Sequence, residues 1–258
     1  MKIIKKVVEI GNGAAVYVPK EYRNQQVLVI LPESIEEIKK TAINKLSIYL
    51  PNIIGIYFVG SYARSEQTPK SDIDILVITE NLNKRIKDEP YDIILVSADV
   101  LKKQIEENAL PIIPMLKEAK VILNSGFISE LRNSKLTGKN LRFHIETSKS
   151  ALNVIEEAIK ISEKQKEKMS DNIVYSLILR LREAYIVECL IKNKLWSNKK
   201  LIELIREISG REEAYYGYTR AKNNENDRKK LKIQEAKKIY EYIKSKIKWQ
   251  ERWAGKRK

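Results

Sequence analysis

The spacing of apolar residues divides the chain into three parts. Short β-branched runs broken by turn residues fill residues 1–32. Residues 33–125 interleave apolar runs of strand length with segments of helical spacing, and from Leu141 onward the spacing is helical only. We therefore predict an α+β protein: a small β unit (1–32), a domain of interleaved strands and helices (33–125) and an all-α helical bundle (126–258).

The first part predicts three short strands, "IIKKVVEIG", "AAVYVPK" and "QVLVIL". The segment "GNGAAVYVPKE" resembles the small swapped-hairpin modules of the AbrB-like type. That resemblance implies a homodimer formed through the β unit, and in some members DNA binding. The alternative is an extra sheet that packs on the following domain.

The second and third parts predict elements of definite length. Ser34 and Glu37 have the spacing of a capping box, which starts a helix that Pro51 ends. Apolar runs predict strands at 53–60, 72–79, 91–97 and 120–124, with a helix at about 99–108. Amphipathic patterns predict bundle helices at 141–165, 172–193, 198–210 and 229–250.

Composition narrows the class of protein. The 258 residues are 43% hydrophobic and 32% charged, which is typical of a soluble globular protein and not of a disordered one. No apolar run approaches the roughly 20 residues of a membrane helix, and "MKIIKKVVEI" acquires charge too early for a secretory leader. We expect a cytoplasmic protein whose single cysteine, Cys189, is a small core residue.

Positive charge is concentrated near the carboxyl end. The chain has a net charge of +15, and the segment from Lys222 to Lys258 holds fourteen basic against five acidic residues, with Trp249 and Trp253 among them. Such a helix could follow a phosphate backbone and stack on bases. It could equally be a solvated lysine-rich face whose tryptophans pack inward.

A turn that suits phosphate follows the first apolar run of the second part. Gly60 and Ser61 end "IIGIYFVG" and begin a helix, so that free backbone N–H groups face whatever lies in front of the turn. Gly60 permits a close backbone approach, Ser61 adds a hydroxyl, and Arg64 adds a permanent positive charge. Together they predict a binding site for the phosphates of a nucleotide.

Two aspartates stand one residue apart at the start of the next strand. Asp72 and Asp74 point to the same face of a strand, where they repel each other unless a cation lies between them. Mg²⁺ prefers carboxylate oxygens, and Asp92 at the start of the following strand could complete a cluster of three. Such a cluster can hold two metal ions, one for the attacking hydroxyl and one for the leaving pyrophosphate.

The combination "GSYAR…SDIDILV" with an aspartate on the next strand resembles the signature of the polymerase-β-like nucleotidyltransferase superfamily, and particularly its small prokaryotic members. The resemblance covers about residues 33–125. It implies a mixed sheet with helices on one side, Mg²⁺ or Mn²⁺ as the metal, an NTP, ATP above all, as substrate, and transfer of a nucleoside monophosphate to an acceptor.

Matched to that motif, six residues receive roles. Gly60 and Ser61 correspond to the phosphate-binding residues and Arg64 to the arginine of the motif. Asp72, Asp74 and Asp92 correspond to metal ligands, and Asp92 also to the base toward the acceptor hydroxyl. Ser65 stands where many small members have glycine.

The bundle corresponds in position to a substrate-binding or HEPN-like helical domain. A HEPN ribonuclease site needs Arg and His five to seven residues apart, whereas Arg142 lies two residues before His144, so we predict no ribonuclease site. His144 is expected on a helix surface or in packing. Arg180, Arg182 and Glu183 either line a cleft or form an internal ion pair, and Tyr215, Tyr216 and Tyr218 beside Arg220 either stack on a ligand or pack in the core.

We therefore expect an enzyme that moves an NMP from an NTP to an acceptor hydroxyl. The acceptor stays open among RNA, a protein side chain and a small hydroxylated molecule. The rival hypothesis is a nucleic-acid-binding or antitoxin-like regulatory protein with a vestigial nucleotide site. Three retained carboxylates argue against that rival, since a decayed site has no need for mutually repelling charges.

Overall fold

The structure is a computed structural model that describes residues 5–29, 34–68 and 71–256. The chain forms two compact units, Met1–Lys40 and Thr41–Lys258. In the described part of the chain, no helix combines the length and the apolar character needed to cross a bilayer.

The first unit contains a short hairpin. Strands β1 (Val8–Ile10) and β2 (Gly13–Ala15) pair antiparallel around a turn in which Gly11 takes a φ of +56°. A 3₁₀ turn follows at Lys20–Tyr22. The strand predicted for 26–31 is not formed at residues 26–29, which pair with no strand of the described residues, and residues 30 and 31 lie outside the described residues.

The predicted capping box is confirmed. The Ser34 N–H donates to Glu37 Oε2 at 2.7 Å, and the Glu37 N–H donates to Ser34 Oγ at 3.2 Å. Helix α1 (Ile35–Lys45) begins directly after this cap, and a 3₁₀ turn at Ser47–Asn52 ends the run at the predicted proline.

A mixed sheet organises the second unit. Its strands are β3 (Ile53–Phe58), β4 (Ile73–Thr79), β5 (Lys84–Asp88), β6 (Tyr91–Ser97) and β7 (Lys120–Leu123). Within the described residues the order is β5-β6-β4-β3-β7, with β4 and β6 parallel and the other pairs antiparallel. The mixed α+β fold predicted from the sequence is confirmed. The edge strand β5 was not predicted, because its charged sequence KRIKD lacks an apolar run.

Short helices cover the face of the sheet that carries the predicted site. They are α2 (Gly60–Arg64), α3 (Ala98–Glu107), α4 (Ile112–Glu118) and α5 (Ser125–Leu131). Leu76 and Val96 from the sheet pack there against Leu101, Leu116 and Ile128 from α3, α4 and α5. Because side chains alternate along a strand, Asp74 and Asp92 share this face with Leu76 and Val96.

The remaining helices form the predicted bundle: α6 (Gly138–Gln165), α7 (Asp171–Ile191), α8 (Asn198–Ser209), α9 (Glu213–Lys222) and α10 (Ile233–Gly255). Helix α7 is central, as its apolar pattern predicts, and buries Val174, Leu177, Ile178 and Leu181 in the main core. Gly210 ends α8 with a φ of +86°, the conformation for which glycine is favoured at this position.

Candidate active site

The turn at Gly60 lies directly against Asp74 on β4. Gly60 has a φ of +68°, and its N–H donates to Glu118 Oε1 at 2.7 Å. A Cβ added to Gly60 would lie 2.2 Å from Asp74 Oδ2, far inside contact distance. Glycine is therefore required twice, for its backbone conformation and for the approach of the carboxylate. The structure brings the predicted phosphate turn and the predicted metal ligand together.

The three predicted carboxylates gather at one edge of the sheet. Asp74 on β4 is paired in register with Asp92 on the parallel strand β6, and Asp72 is exposed just before β4. Burial raises the pKa of Asp74 to about 6, and the negative charges of Asp92, Asp72 and Glu118 act in the same direction. The repulsion anticipated from the sequence is thus present at Asp74.

Asp92 already has a cationic partner. Arg85 on β5 donates from Nε to Asp92 Oδ1 at 2.8 Å and from Nη2 to Oδ2 at 2.5 Å. This bidentate hydrogen bond lowers the pKa of the Asp92 carboxyl, which is therefore ionised at neutral pH. Sequence reasoning missed Arg85 because it missed the strand that carries it.

A divalent cation suits the chemistry of these donors, although their present spacing is not that of a ligand set. Among the described residues, no group of three or more His, Cys, Asp or Glu side chains is arranged to hold a metal ion. Asp72 and Asp74 provide hard oxygen donors whose mutual repulsion a cation would relieve. Asp92 could also bind the cation only if at least one of its two hydrogen bonds from Arg85 were weakened or broken.

Arg64 is engaged by two carboxylates and an indole. Its Nη1 donates to Glu118 Oε2 at 2.7 Å, its Nε donates to Glu66 Oε2 at 2.9 Å, and its guanidinium lies 3.8 Å from the centre of the Trp196 ring. The predicted role of Arg64 in phosphate binding stays a prediction. Its observed contacts connect the glycine turn to the segment that precedes α8.

Glu66 extends this connection into the helical bundle. Its Oε1 accepts hydrogen bonds from Ser197 Oγ at 2.6 Å and from the Asn198 N–H at 3.0 Å, at the start of α8. Ser61, the other predicted phosphate-binding residue, is half-buried, and its hydroxyl makes no hydrogen bond within the described residues. That hydroxyl is therefore available to a ligand.

Two basic residues of the bundle lie near this region, Lys222 beside Asp74 and Arg182 beside Trp196. Lys222 at the end of α9 lies close enough to Asp74 to oppose the rise in its pKa. Arg182 on α7 lies 4.9 Å from the centre of the Trp196 ring and has no acidic partner within the described part of the chain. Its Nε is buried without a hydrogen bond.

The other candidate residues of the bundle are internal. Arg180 pairs with Glu183 at 2.6 Å, as the ion-pair alternative predicts for these two residues. Tyr218 stacks on Tyr175 with ring centres 5.2 Å apart and Arg220 is bound by Asp171, so packing describes these two residues, whereas Tyr216 is 51% exposed and donates to Glu212.

His144 is buried and its Nε2 lies 2.9 Å from Gln250 Oε1, which is a packing role. The basic helix α10 buries one apolar side against the bundle, with Trp253 packed on the core. Lys237 and Lys246 form ion pairs with Glu163 and Glu188. These contacts favour the solvated-face interpretation of α10, and nucleic-acid binding stays a prediction.

The chain was compared with solved structures, with curated sequences and with models of protein families. Among solved structures it is similar to a nucleotidyltransferase-like protein from Exiguobacterium sibiricum 255-15, with 14% identity, a TM-score of 0.39, and coverage of 86% of this chain and 78% of that one. It is also similar to the spectinomycin adenyltransferase AAD(9) from Enterococcus faecialis, solved with ATP and spectinomycin, with 16% identity, a TM-score of 0.40, and coverage of 82% and 98%. No curated protein matches it in sequence. The family model described as "Nucleotidyltransferase domain" matches residues 35–248, and the chain therefore belongs to the nucleotidyltransferase family.

Proposed function

We propose that this protein transfers a nucleoside monophosphate from an NTP, with ATP as the preferred donor, to an acceptor hydroxyl and releases pyrophosphate. The observation that carries the proposal is the position of Asp74. Its carboxylate lies against the backbone of Gly60 and next to Asp92, where burial first and the neighbouring negative charges second raise its pKa to about 6. A fold gains no stability from such a cluster, so a ligand cation is the natural reason for it.

Asp72 and Asp74 would hold Mg²⁺ or Mn²⁺, with Asp92 as a third ligand once Arg85 shares it. The metal, when bound, would neutralise charge on the phosphates and favour ionisation of the attacking hydroxyl. The backbone of Gly60 and the hydroxyl of Ser61 would orient the triphosphate. Because Glu118 now accepts the Gly60 N–H, phosphate binding requires this carboxylate to give up that hydrogen bond.

In the reaction, the acceptor oxygen forms a bond to the α-phosphorus while the bond from that phosphorus to the bridging oxygen of the β-phosphate breaks. The acceptor proton passes to Asp92, which Arg85 keeps ionised beforehand. The electron pair of the broken bond leaves with pyrophosphate. Lys222, whose charge reaches Asp74, would offset the charge on the leaving group.

Transfer of label from α-³²P-labelled ATP, with cellular RNA, protein and small-molecule fractions offered as acceptors, tests the proposal. We expect one fraction to acquire label in the presence of Mg²⁺. Asp72→Asn and Asp74→Asn should reduce transfer at least 100-fold, whereas Asp99→Asn, an exposed carboxylate on α3, should leave it unchanged. Transfer at the parent rate by both site variants would contradict the mechanism.

A further inference from the structure

A cavity of about 430 Å³ lies beside the proposed base, on the face of the sheet that carries it. Its floor includes Leu76 and Ile94, and its walls include Val100 from α3 and Ile112 and Met115 from α4. The volume is that of a typical site for a small molecule.

The cavity and the Asp92 site share Arg85 and lie on the same face of the sheet. Ile94 lies two residues beyond Asp92 on β6 and therefore points to the same face. Arg85, which is paired in register with Ile94, lines the cavity and at the same time binds both oxygens of Asp92. A molecule in the cavity would have its near end at this pair.

The lining determines what kind of molecule fits. Three of its polar residues have partners in the protein: Asn83 Oδ1 accepts from the Ser97 N–H, Asn108 Oδ1 accepts from the Leu110 N–H, and the Lys84 ammonium donates one hydrogen bond to a tyrosine hydroxyl. Apolar side chains provide the remaining surface apart from Arg85 and Gln104. The lining holds two cations, Lys84 and Arg85, and Arg85 is already paired with Asp92, so a largely apolar molecule fits this lining better than a polyanion.

We propose that this cavity is the acceptor site, and that the acceptor is a small molecule with a largely apolar skeleton and a hydroxyl group directed at Asp92. The inference rests on the proposed function, since it takes Asp92 as the base. The hydroxyl oxygen becomes bonded to the α-phosphorus, its proton moves to Asp92, and pyrophosphate leaves. An ionised carboxylate has lone pairs left for this hydroxyl while Arg85 remains bound.

The test measures cavity binding without nucleotide. The full-length protein is titrated with 4-phenyl-1-butanol as an apolar alcohol and with glucose as a polar one, followed by ligand-detected NMR. Val100→Trp fills the cavity from a position that is already 36% exposed, and Gln104→Trp fills it from one turn further along α3. Lys103→Trp, exposed on the same helix but outside the cavity, is the matched control.

We expect the parent and Lys103→Trp to bind 4-phenyl-1-butanol and not glucose, and the two cavity variants to bind it at least tenfold more weakly. Equal binding by all four proteins, no binding by the parent, or label from ATP recovered on RNA or protein would overturn the proposal. If the parent protein showed no Mg²⁺-dependent binding of ATP, that result would instead contradict the proposed function. Because the alcohol titration contains no nucleotide, the two failures are distinguishable.

Discussion

Replacement of Gly60 by alanine would separate backbone strain from damage to the site. Gly60 has a φ of +68°, a left-handed conformation that costs an alanine about 1–2 kcal/mol. The new Cβ would also lie 2.2 Å from Asp74 Oδ2, whereas ordinary contacts begin at 3.4 Å. The carboxylate must therefore retreat by about 1 Å, a displacement that costs on the order of 100-fold in rate at a reacting centre.

Gly210→Ala is the matched control. Gly210 has a φ of +86°, but an added Cβ would meet no atom within 4 Å, so this variant carries the strain without the collision. Urea denaturation should show a loss of about 1–2 kcal/mol in the free energy of unfolding for Gly210→Ala and a loss at least as large for Gly60→Ala. Only Gly60→Ala should lose NMP transfer, by roughly 100-fold.

The reasoning would be refuted if Gly60→Ala transferred NMP as fast as the parent protein, as Gly210→Ala should. That result would mean that the Asp74 carboxylate has no required position next to the turn. Equal activity losses in both variants would attribute the effect to stability alone, and would refute it as well.

Three further predictions follow from particular contacts. The pKa of Asp74 is raised from 3.8 to about 6 in the folded protein, so its ionisation weakens the metal-free fold as pH rises through that range. In thermal or urea melts, Asp74→Asn should therefore be more stable than the parent by about 1–2 kcal/mol at pH 8 and equally stable at pH 3. Ser65 has a φ of +57° and binds Lys120 Nζ at 2.8 Å, so Ser65→Gly should stabilise the fold by about 1 kcal/mol, and a loss of stability would show that the exposed hydrogen bond outweighs the strain. Arg64→Leu leaves the buried Glu118 carboxylate without its ion pair and should lower the free energy of unfolding by about 3 kcal/mol at pH 8. The loss should be smaller at pH 5, because burial raises the pKa of Glu118 and the carboxylate then protonates; a loss independent of pH would contradict this assignment.

The parts of the site that lie on regular elements were predictable from the sequence. Asp74 and Asp92 begin apolar strands, and a glycine–serine turn after a strand is a local signal, so their neighbourhood follows from alternation and topology. The bundle helices follow from helical spacing, except α9, whose aromatic and charged sequence hides its periodicity.

The partners of these residues were not predictable, because they depend on contacts between distant segments. Glu118 reaches Gly60 across 58 residues from a short helix with no distinctive pattern. Arg85 lies on an edge strand whose charged residues read as a loop. Trp196 meets Arg64 only because the bundle packs next to the glycine turn.

Calorimetric titration with a non-hydrolysable ATP analogue tests the central claim most directly. We expect one analogue to bind per chain when Mg²⁺ is present, at least tenfold weaker binding in EDTA, and the same weakening in Asp74→Asn with Mg²⁺. Asp99→Asn should bind as the parent does. Equal affinity with and without Mg²⁺, or undiminished binding by Asp74→Asn, would contradict the assignment of this carboxylate cluster as the site of nucleotide transfer.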